Sequence, residues 1–548
     1  MECQLFAELS PSAAKQTLAV AYCERLNKKN ALRILGELNL HTMASVTKPT
    51  SVPIKTRRNR LPTEIPGPRV RTRWGRLKAM SRFSQDSVAL GNQLFAEYGP
   101  LATIAHGGGT RLFTPWGKNC PGSILVRGPE LLKEVATKHD TYHKFHLSGV
   151  LHPHNDESER KASLRVFASG LFGVNGDDHR RQRKMMAPAF IPSRVATYAD
   201  AMVDVTERMT ANWRCGQMFD IAVEMRELAR EIASVCLFGE SLEDGGTELT
   251  AGVQTGLALV SNPLVRLLPY DLPGLPYRKL LEVSDVAYRR AQGVIARRRA
   301  EPEKADDVLS MLLKARDETD GAALTEDELI GHVNVLFAAG HETSANALTW
   351  TCFLLSQHPE IYADLVEELQ SELKGETARP IDFERLPLLD RVIKESMRVI
   401  TPVPWNGRVL AQDAELGGFE LPAGTEVMGS IYHTHHMPEI FTEPERFHPD
   451  RFAENHYTGY EYNPFSAGQR ICIGAGFAMQ EIKIVLSHLL QKFRLEYVPE
   501  REINRQGTIV IIPKQGMLMR LERVGDNYTG GVGTVVGNVR DMVDLPTC

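Results

Sequence analysis

The residue with the most distinctive chemical setting in this 548-residue chain is Cys472, in the stretch PFSAGQRICIGAGFA. A helical pattern begins just after this cysteine, so free N–H groups and the helix dipole would stabilise a thiolate there. Gly474 keeps a side chain away from the sulfur, and Phe465 would shield the sulfur from solvent. Arg470 is placed to pair with an anion at the same site. The stretch is therefore compatible with a thiolate that ligates a metal, as well as with a structural cysteine at a helix start.

The remaining cysteines restrict the kind of metal site. The chain has 8 cysteines, with long and irregular gaps and no C-x-x-C pair. This spacing argues against a disulfide framework, and against zinc and iron–sulfur sites, which need about four protein ligands. A single axial cysteine does suit haem, because the porphyrin supplies four nitrogens. A lone cysteine at a helix start is more often a small buried core residue, so the surrounding pattern has to decide.

That pattern is F-x-x-G-x-R-x-C-x-G-x-x-x-A, and it is matched in full from Phe465 to Ala478. On these residues the chain resembles the cytochrome P450 family of haem-thiolate monooxygenases. The resemblance implies a mainly α fold with small β-sheets (α+β) around a buried haem b. It also implies that Cys472 is the axial iron ligand, that Arg470 and Gly474 lie at the cofactor, and that one atom of O2 is inserted into an organic substrate.

A second motif lies in a helical pattern that begins at Thr325 and ends before Pro359. The AAGHET segment within it is similar to the family's oxygen-activation motif, A/G-G-x-D/E-T. By this resemblance Gly340 lets the helix open beside dioxygen, and Glu342 and Thr343 form an acid–alcohol pair that passes protons. Without that context, a Glu-Thr pair on a helix would usually have no catalytic role.

A third group of residues has a structural role by resemblance. KESMR places Glu395 and Arg398 three residues apart on one predicted helix face, where an exposed ion pair would be worth little. The resemblance adds Arg451, from the PDRF segment, and makes the three a buried triad. Such a triad would hold the cysteine loop in place and do no chemistry.

A fourth group would bind the haem propionates. In GDDHRRQRKMM, Arg183 matches the arginine of the family's W-x-x-x-R pattern, and His179 stands where tryptophan is common. We expect the imidazole N–H of His179 to replace the indole N–H. Arg408 sits where the family often has a further basic residue for a propionate. The cations of residues 180–184 are either a solvated face or a docking surface for an acidic electron donor.

The elements that must position these residues are framed by two terminal segments. The proline-dense LPTEIPGP predicts a boundary between an N-terminal arm, residues 1–61, and a haem domain, residues 62–524. Residues 525–548 are expected to form a loose tail. GGFELPAGTEVMGS predicts a β-hairpin within the domain. The histidine-rich segment from 143 to 161 is expected, by resemblance, to roof the substrate pocket.

Bulk properties exclude some partners and compartments. The net charge of −4 gives no reason to expect nucleic acid. The sequence contains no run of about 18 apolar residues, so no transmembrane helix is predicted. A cytoplasmic location is therefore expected, and peripheral membrane association stays possible.

The resemblance also indicates partners. No flavin or iron–sulfur domain is visible in the sequence, so electrons are expected from a separate ferredoxin, flavodoxin or NADPH reductase. The substrate is expected to be a small lipophilic molecule. Two alternatives stay open: an electron-independent haem-thiolate isomerase or peroxygenase, against which the Glu342–Thr343 pair argues, and a non-catalytic haem sensor or carrier, for which no output module is visible.

Overall fold

The computed structural model describes residues 61–547, apart from 71, 111, 113–119, 145–158, 168–169, 240–254, 257–258, 260–261, 263, 266–267, 302–305, 500–501, 508 and 526–529. The arm predicted for residues 1–61 lies outside the described residues except for Leu61. Most of the segment expected to roof the substrate pocket lies outside them too.

The chain is mainly helical, as expected from its sequence. The helices are α1 Arg73–Gln85, α2 Ser87–Tyr98, α3 Pro129–Thr137, α4 Glu159–Phe167, α5 Gly176–Met186, α6 Pro192–Thr197, α7 Ala199–Thr210, α8 Ile221–Phe238, α9 Pro276–Ala300, α10 Val308–Lys314, α11 Glu326–Gly340, α12 Glu342–Gln357, α13 Pro359–Leu373, α14 Pro387–Val399, α15 Ile431–His435, α16 Arg451–Glu454 and α17 Ala475–Lys492. Several begin with proline in the first turn, where the missing N–H costs no hydrogen bond.

The strands form small sheets beside the helices. They are β1 Leu101–Thr103, β2 Ser123–Val126, β3 Tyr142–His143, β4 Met218–Asp220, β5 Trp405–Leu410, β6 Ala414–Leu416, β7 Phe419–Leu421, β8 Glu426–Ser430, β9 Phe493–Tyr497, β10 Arg505–Gln506, β11 Ile512–Pro513 and β12 Leu518–Arg523. The largest sheet has the order β1-β2-β8-β5-β3, with β2 and β8 parallel and its other pairs antiparallel. A second sheet has the order β4-β12-β9, and β6-β7 and β10-β11 form separate pairs.

The hairpin predicted for GGFELPAGTEVMGS does not form. Its first half is β7, which pairs with β6, and its second half is β8, which pairs with β2 and β5 in the largest sheet. The alternation of side chains correctly indicated two strands. Their partners are decided by burial of β8, all five residues of which are inside the protein.

The helical core buries the elements that carry the predicted site residues. Side chains from α7, α8, α12, α14 and α17 meet in one cluster, with Met202, Met225, Leu348, Ile393 and Leu486 each fully buried. Helix α12 is buried nearly all round, as expected for a helix at the centre of a domain. A rigid core of this kind holds side chains on different helices at fixed separations.

The helix predicted from Thr325 to Pro359 is present but interrupted. Thr325 and Glu328 form the expected capping box at the start of α11. Helix α11 ends at Gly340, α12 begins at Glu342, and His341 between them has φ −122° and ψ −43°. The interruption falls within the AAGHET segment.

The expectation of a loose tail is wrong for residues 530–547. Val539, Met542 and Val543 are fully buried in the main core. The backbone is also tied down: the Val539 N–H donates to the carbonyl of Ile503 (3.2 Å), and the Asp544 N–H donates to that of Glu445 (2.9 Å). The segment is therefore a strap that closes the core, because Val535, Val539 and Val543 face the protein.

The strap offers a matched pair of valines. Val539→Ala should lower the free energy of unfolding by about 2 kcal/mol, since two buried methyl groups are lost and a cavity is left. Val536→Ala, at a residue 59% exposed, should change it by less than about 0.5 kcal/mol. Urea unfolding of both variants measures the difference. Equal effects near zero would mean that the segment does not contribute to the core and that the loose tail is correct.

Candidate active site

The cysteine loop ends at the N-terminus of α17. Cys472 lies three residues before Ala475, and its N–H donates to the carbonyl of Phe465 (2.9 Å). Its side chain is accessible to solvent. Surrounding protein atoms raise the pKa of the Cys472 thiol, whereas a hydrogen bond from Gly474 and the nearby charge of Arg183 lower it. The effect of burial is the larger, so the pKa of the Cys472 thiol is raised on balance, and the stabilised thiolate predicted for a sulfur at a helix start stays a prediction.

Two glycines shape this loop in different ways. Gly468 has φ +67°, and a Cβ there would lie 2.3 Å from the carbonyl oxygen of Ala136, so a side chain would displace the loop. Gly474 differs, because a Cβ there would meet no protein atom within 4 Å. Gly474 therefore borders open space next to the sulfur.

The interruption between α11 and α12 has a similar open side. Ala338, Ala339, Gly340, Glu342 and Thr343 are each partly exposed, although most residues on either side of them are buried. These residues form a partly exposed patch in an otherwise buried helix pair. Helix α12 packs against α17, which begins at the cysteine loop, so the patch and the loop belong to one packed unit.

The surroundings orient the hydroxyl of Thr343 and shift the pKa of the Glu342 carboxyl. The Thr343 hydroxyl donates to the carbonyl of Ala339 (3.1 Å), which bridges the interruption. Burial raises the pKa of the Glu342 carboxyl, partly opposed by Arg226. A carboxyl with a raised pKa is better able to carry a proton and give it up. Gly340 is also close-packed, since a Cβ there would lie 3.0 Å from a methyl carbon of Leu237.

A cluster of cations lies near the cysteine loop. Arg408 is fully buried, and burial together with Arg470 lowers its pKa to about 9. Burial and Arg183 lower the pKa of Arg470 to about 10. His179 is buried, and its pKa falls to about 3 because of burial and the charges of Arg470, Arg183 and Arg408. His179 is therefore neutral, with one ring N–H to donate.

The triad is present as the sequence predicted, with all three side chains buried. Arg398 donates two hydrogen bonds to the carboxylate of Glu395, at 2.7 and 2.9 Å. Arg451 donates a third at 2.9 Å, and the backbone N–H of His448 a fourth at 2.9 Å. The remaining guanidinium N–H groups donate to backbone carbonyls between 435 and 446. The two guanidinium groups thus share one carboxylate and have carbonyl partners for their other N–H groups, and the segment from 435 to 451 is held against α14.

A chain of hydrogen bonds connects the triad to the cysteine loop. Arg398 donates to the carbonyl of His435 (2.8 Å), and the ring Nε2 of His435 accepts from the Asn463 N–H (3.0 Å). The Ser466 N–H then donates to the carbonyl of Asn463 (2.8 Å). Burial and Arg398 hold the pKa of His435 well below its usual range, so Nε2 stays free to accept.

A model of the cytochrome P450 family matches residues 66–520. This chain belongs to the cytochrome P450 family. Pentalenene oxygenase from Streptomyces avermitilis is 31% identical over 404 residues, which cover 72% of this chain and 86% of that protein. Cyclooctat-9-en-7-ol 5-monooxygenase from Streptomyces melanosporofaciens is 32% identical, over 69% of this chain and 81% of that protein.

Solved structures agree on the fold. A cyanobacterial CYP120A1 with bound retinoic acid superposes with a TM-score of 0.69 at 24% identity, over 85% of this chain and all of that one. The haem domain of a further cytochrome P450 gives a TM-score of 0.70 at 22% identity. The mainly α fold with small sheets is therefore that of the family, and the protein is an oxidoreductase of the monooxygenase class with haem as its cofactor.

The cation cluster of this cytochrome P450 fits a haem. None of Lys144, Arg183, Arg408 and Arg470 forms an ion pair with a carboxylate in the described part of the chain. Arg408 is buried and the other three are partly buried. Cations held away from water without a counter-ion are costly, so the cluster calls for an anionic group. The two propionates of haem are such groups, and Gly474 leaves room for the porphyrin beside the sulfur.

Lys144 and two asparagines were missed by reasoning from the sequence. Burial, Arg408 and Arg470 hold the pKa of Lys144 well below its usual value. Its Nζ donates to the Asn406 side chain (3.1 Å), and Asn175 accepts from the Lys144 N–H (2.8 Å) and from Arg470 (2.7 Å). The one signal in the sequence is the lysine among the histidines of HKFHL.

The basic run of α5 is not a free cationic face. Arg180 pairs with Asp177, Arg181 with Glu328, and Lys184 with Glu318. Arg183, by contrast, lies close enough to Cys472 to influence its thiol. The docking role of residues 180–184 stays a prediction. Three of these cations, Arg180, Arg181 and Lys184, already pair with carboxylates of this chain.

In the described part of the chain, none of the helices combines the length and the apolar character needed to cross a lipid bilayer.

Replacement of the triad carboxylate tests its role. Glu395→Gln leaves Arg398 and Arg451 buried without a full counter-charge, so the free energy of unfolding should fall by about 3–5 kcal/mol. Glu282→Gln removes an exposed carboxylate that pairs with Arg278, and should cost less than about 1 kcal/mol. Guanidinium unfolding of both variants measures this, and a Glu395→Gln protein as stable as the control would refute the assignment.

Proposed function

We propose that this cytochrome P450 inserts one oxygen atom of O2 into a small lipophilic substrate, with haem b ligated by Cys472 and with electrons from a separate donor. The observation that carries the proposal is the accessible thiol at the start of α17, in the same packed unit as the interrupted helix with Glu342 and Thr343. Neither feature alone indicates oxygen chemistry, whereas together they provide a metal ligand and a proton source.

The residues that would hold haem b fall into two sets. Cys472 would ligate the iron, with Gly474 and Phe465 beside it. Arg183, Arg408, Arg470 and His179 would bind the propionates, with Lys144 near Arg408 and Arg470. When bound, a thiolate-ligated haem supplies the iron that activates O2 for O–O cleavage.

The proposed task of Glu342 and Thr343 is to hold and pass protons. The raised pKa of Glu342 favours its protonated form, and the Thr343 hydroxyl is oriented by the carbonyl of Ala339. Gly340 has no side chain, so none projects from the helix at this position. A relay of two side chains would form if the Thr343 hydroxyl turned its single O–H away from the Ala339 carbonyl, accepted from the Glu342 carboxylic acid and donated onward.

The proposal of a lipophilic substrate is supported by Ala338 and Ala339, which are partly exposed and present only methyl groups. The names of two similar proteins refer to pentalenene and cyclooctat-9-en-7-ol, and a similar structure holds retinoic acid. These compounds are largely hydrocarbon. For electrons we propose a ferredoxin, a flavodoxin or an NADPH reductase.

The thiolate is tested by spectroscopy. Cys472→Ser should abolish the red-shifted Soret band of the reduced carbon monoxide complex, because serine gives no thiolate to the iron. Cys215→Ser, at another exposed cysteine, should keep the band. The ligand assignment fails if the Cys472→Ser protein retains an unchanged spectrum.

The relay is tested with a matched threonine on the same helix. Thr343→Val should lower product formed per NADPH by about tenfold or more and raise hydrogen peroxide release, because a proton donor is lost. Thr349 also donates to the carbonyl four residues before it (2.7 Å), and Thr349→Val should leave coupling unchanged. Retinoic acid is the lipophilic probe, with ferredoxin and its reductase as electron source.

Three outcomes of this assay bear on the proposal. Equal coupling in both valine variants would remove Thr343 from the relay. Product formation without any electron donor would favour the isomerase or peroxygenase alternative. Recovery of coupling in Thr343→Ser would confirm that the hydroxyl matters.

A further inference from the structure

The segment that leads into the domain has an unusual charge balance. From position 55 to 82 the sequence has Glu64 as its one acidic residue, against ten basic ones: Lys55, Arg57, Arg58, Arg60, Arg69, Arg71, Arg73, Arg76, Lys78 and Arg82. The whole chain, in contrast, carries a net charge of −4. Positive charge is therefore concentrated in one stretch, and α1 is the helix within it.

Helix α1 has one face turned inward. Ala79 and Met80 pack, with the buried Phe83, against a cluster that includes Trp405. The rings of Phe83 and Trp405 are 5.5 Å apart. This contact anchors the helix to the domain and leaves the opposite face outward.

The outward face combines cations with apolar side chains. Trp74 is 81% exposed and Leu77 is 45% exposed. Arg73 and Lys78 flank them and are exposed too. At 100° per residue these four side chains share one face of the helix. An indole and a leucine between cations are the side chains expected at a lipid interface, where the ring lies at headgroup level and the cations meet anionic headgroups.

We propose that the outward face of α1, formed by Arg73, Trp74, Leu77 and Lys78, binds the surface of an anionic phospholipid membrane. The charge of the face is complementary to such a surface, and no carboxylate of α1 opposes it. The cations recur along the sequence from 55 to 82, and a run of this length suits an extended anionic plane better than a compact acidic patch on a protein. The inference does not depend on the proposed substrate or electron donor.

The test is co-sedimentation of the haem-loaded full-length protein with vesicles of phosphatidylcholine, with and without phosphatidylserine. Binding is expected with phosphatidylserine and should weaken as salt rises. Arg73→Gln combined with Lys78→Gln should weaken it about 30-fold, at about 1 kcal/mol for each cation. Trp74→Ser should weaken it about tenfold, since an apolar ring no longer inserts.

Helix α9 provides the matched control. Val286, Arg289 and Arg290 are also exposed on a helix, so Val286→Ser and the double change Arg289→Gln with Arg290→Gln should leave vesicle binding unchanged. Circular dichroism and the haem spectrum check that all variants fold.

Two results would overturn the proposal. The first is vesicle binding that is absent, or is the same for the α1 variants and the α9 controls. The second is that the protein binds an acidic ferredoxin but not vesicles, and that the α1 variants lose the binding of ferredoxin.

Discussion

One buried carboxylate holds together the part of this protein on which the cysteine site depends. Glu395 accepts hydrogen bonds from two arginines and a backbone N–H, and those arginines in turn bind the carbonyls of the segment from 435 to 446. A buried ion pair adds little net stability compared with apolar residues, but it is favourable only when its hydrogen bonds have good geometry. Its value here is that it fixes an irregular segment, which has few regular backbone hydrogen bonds of its own. Through His435 and Asn463 that order reaches the loop of Cys472.

A second electrostatic feature is the cluster of cations near the cysteine loop. Burial and the charge of Arg470 lower the pKa of Arg408, and burial and the charge of Arg183 lower the pKa of Arg470. Asparagine side chains orient them but cannot neutralise them. A domain with this arrangement is incomplete electrostatically until it binds an anion, so cofactor binding and stability should be linked. The neutral His179 adds a hydrogen-bond donor without adding another charge.

Patterns in the sequence predicted the parts of the protein that depend on local chemistry. The capping box at Thr325, the helix start after Cys472 and the E-x-x-R spacing at Glu395 each involve residues within a few positions of one another. The pairing partners of β8 and the burial of Val539 depend on contacts with distant segments, and here the predictions were wrong. Lys144 was missed for the same reason, because its environment is created by Arg408 and Arg470, hundreds of residues away.

The sequence by itself determined the family and predicted the ligand cysteine and the acid–alcohol pair, because these rest on fixed residue types at fixed short spacings. Only the tertiary structure decided which cations lack a counter-charge, that the C-terminal segment closes the core, and that α1 turns a tryptophan outward. Those properties are set by what surrounds each side chain. Burial and the nearest charges come from several elements at once, and no single stretch of sequence contains them.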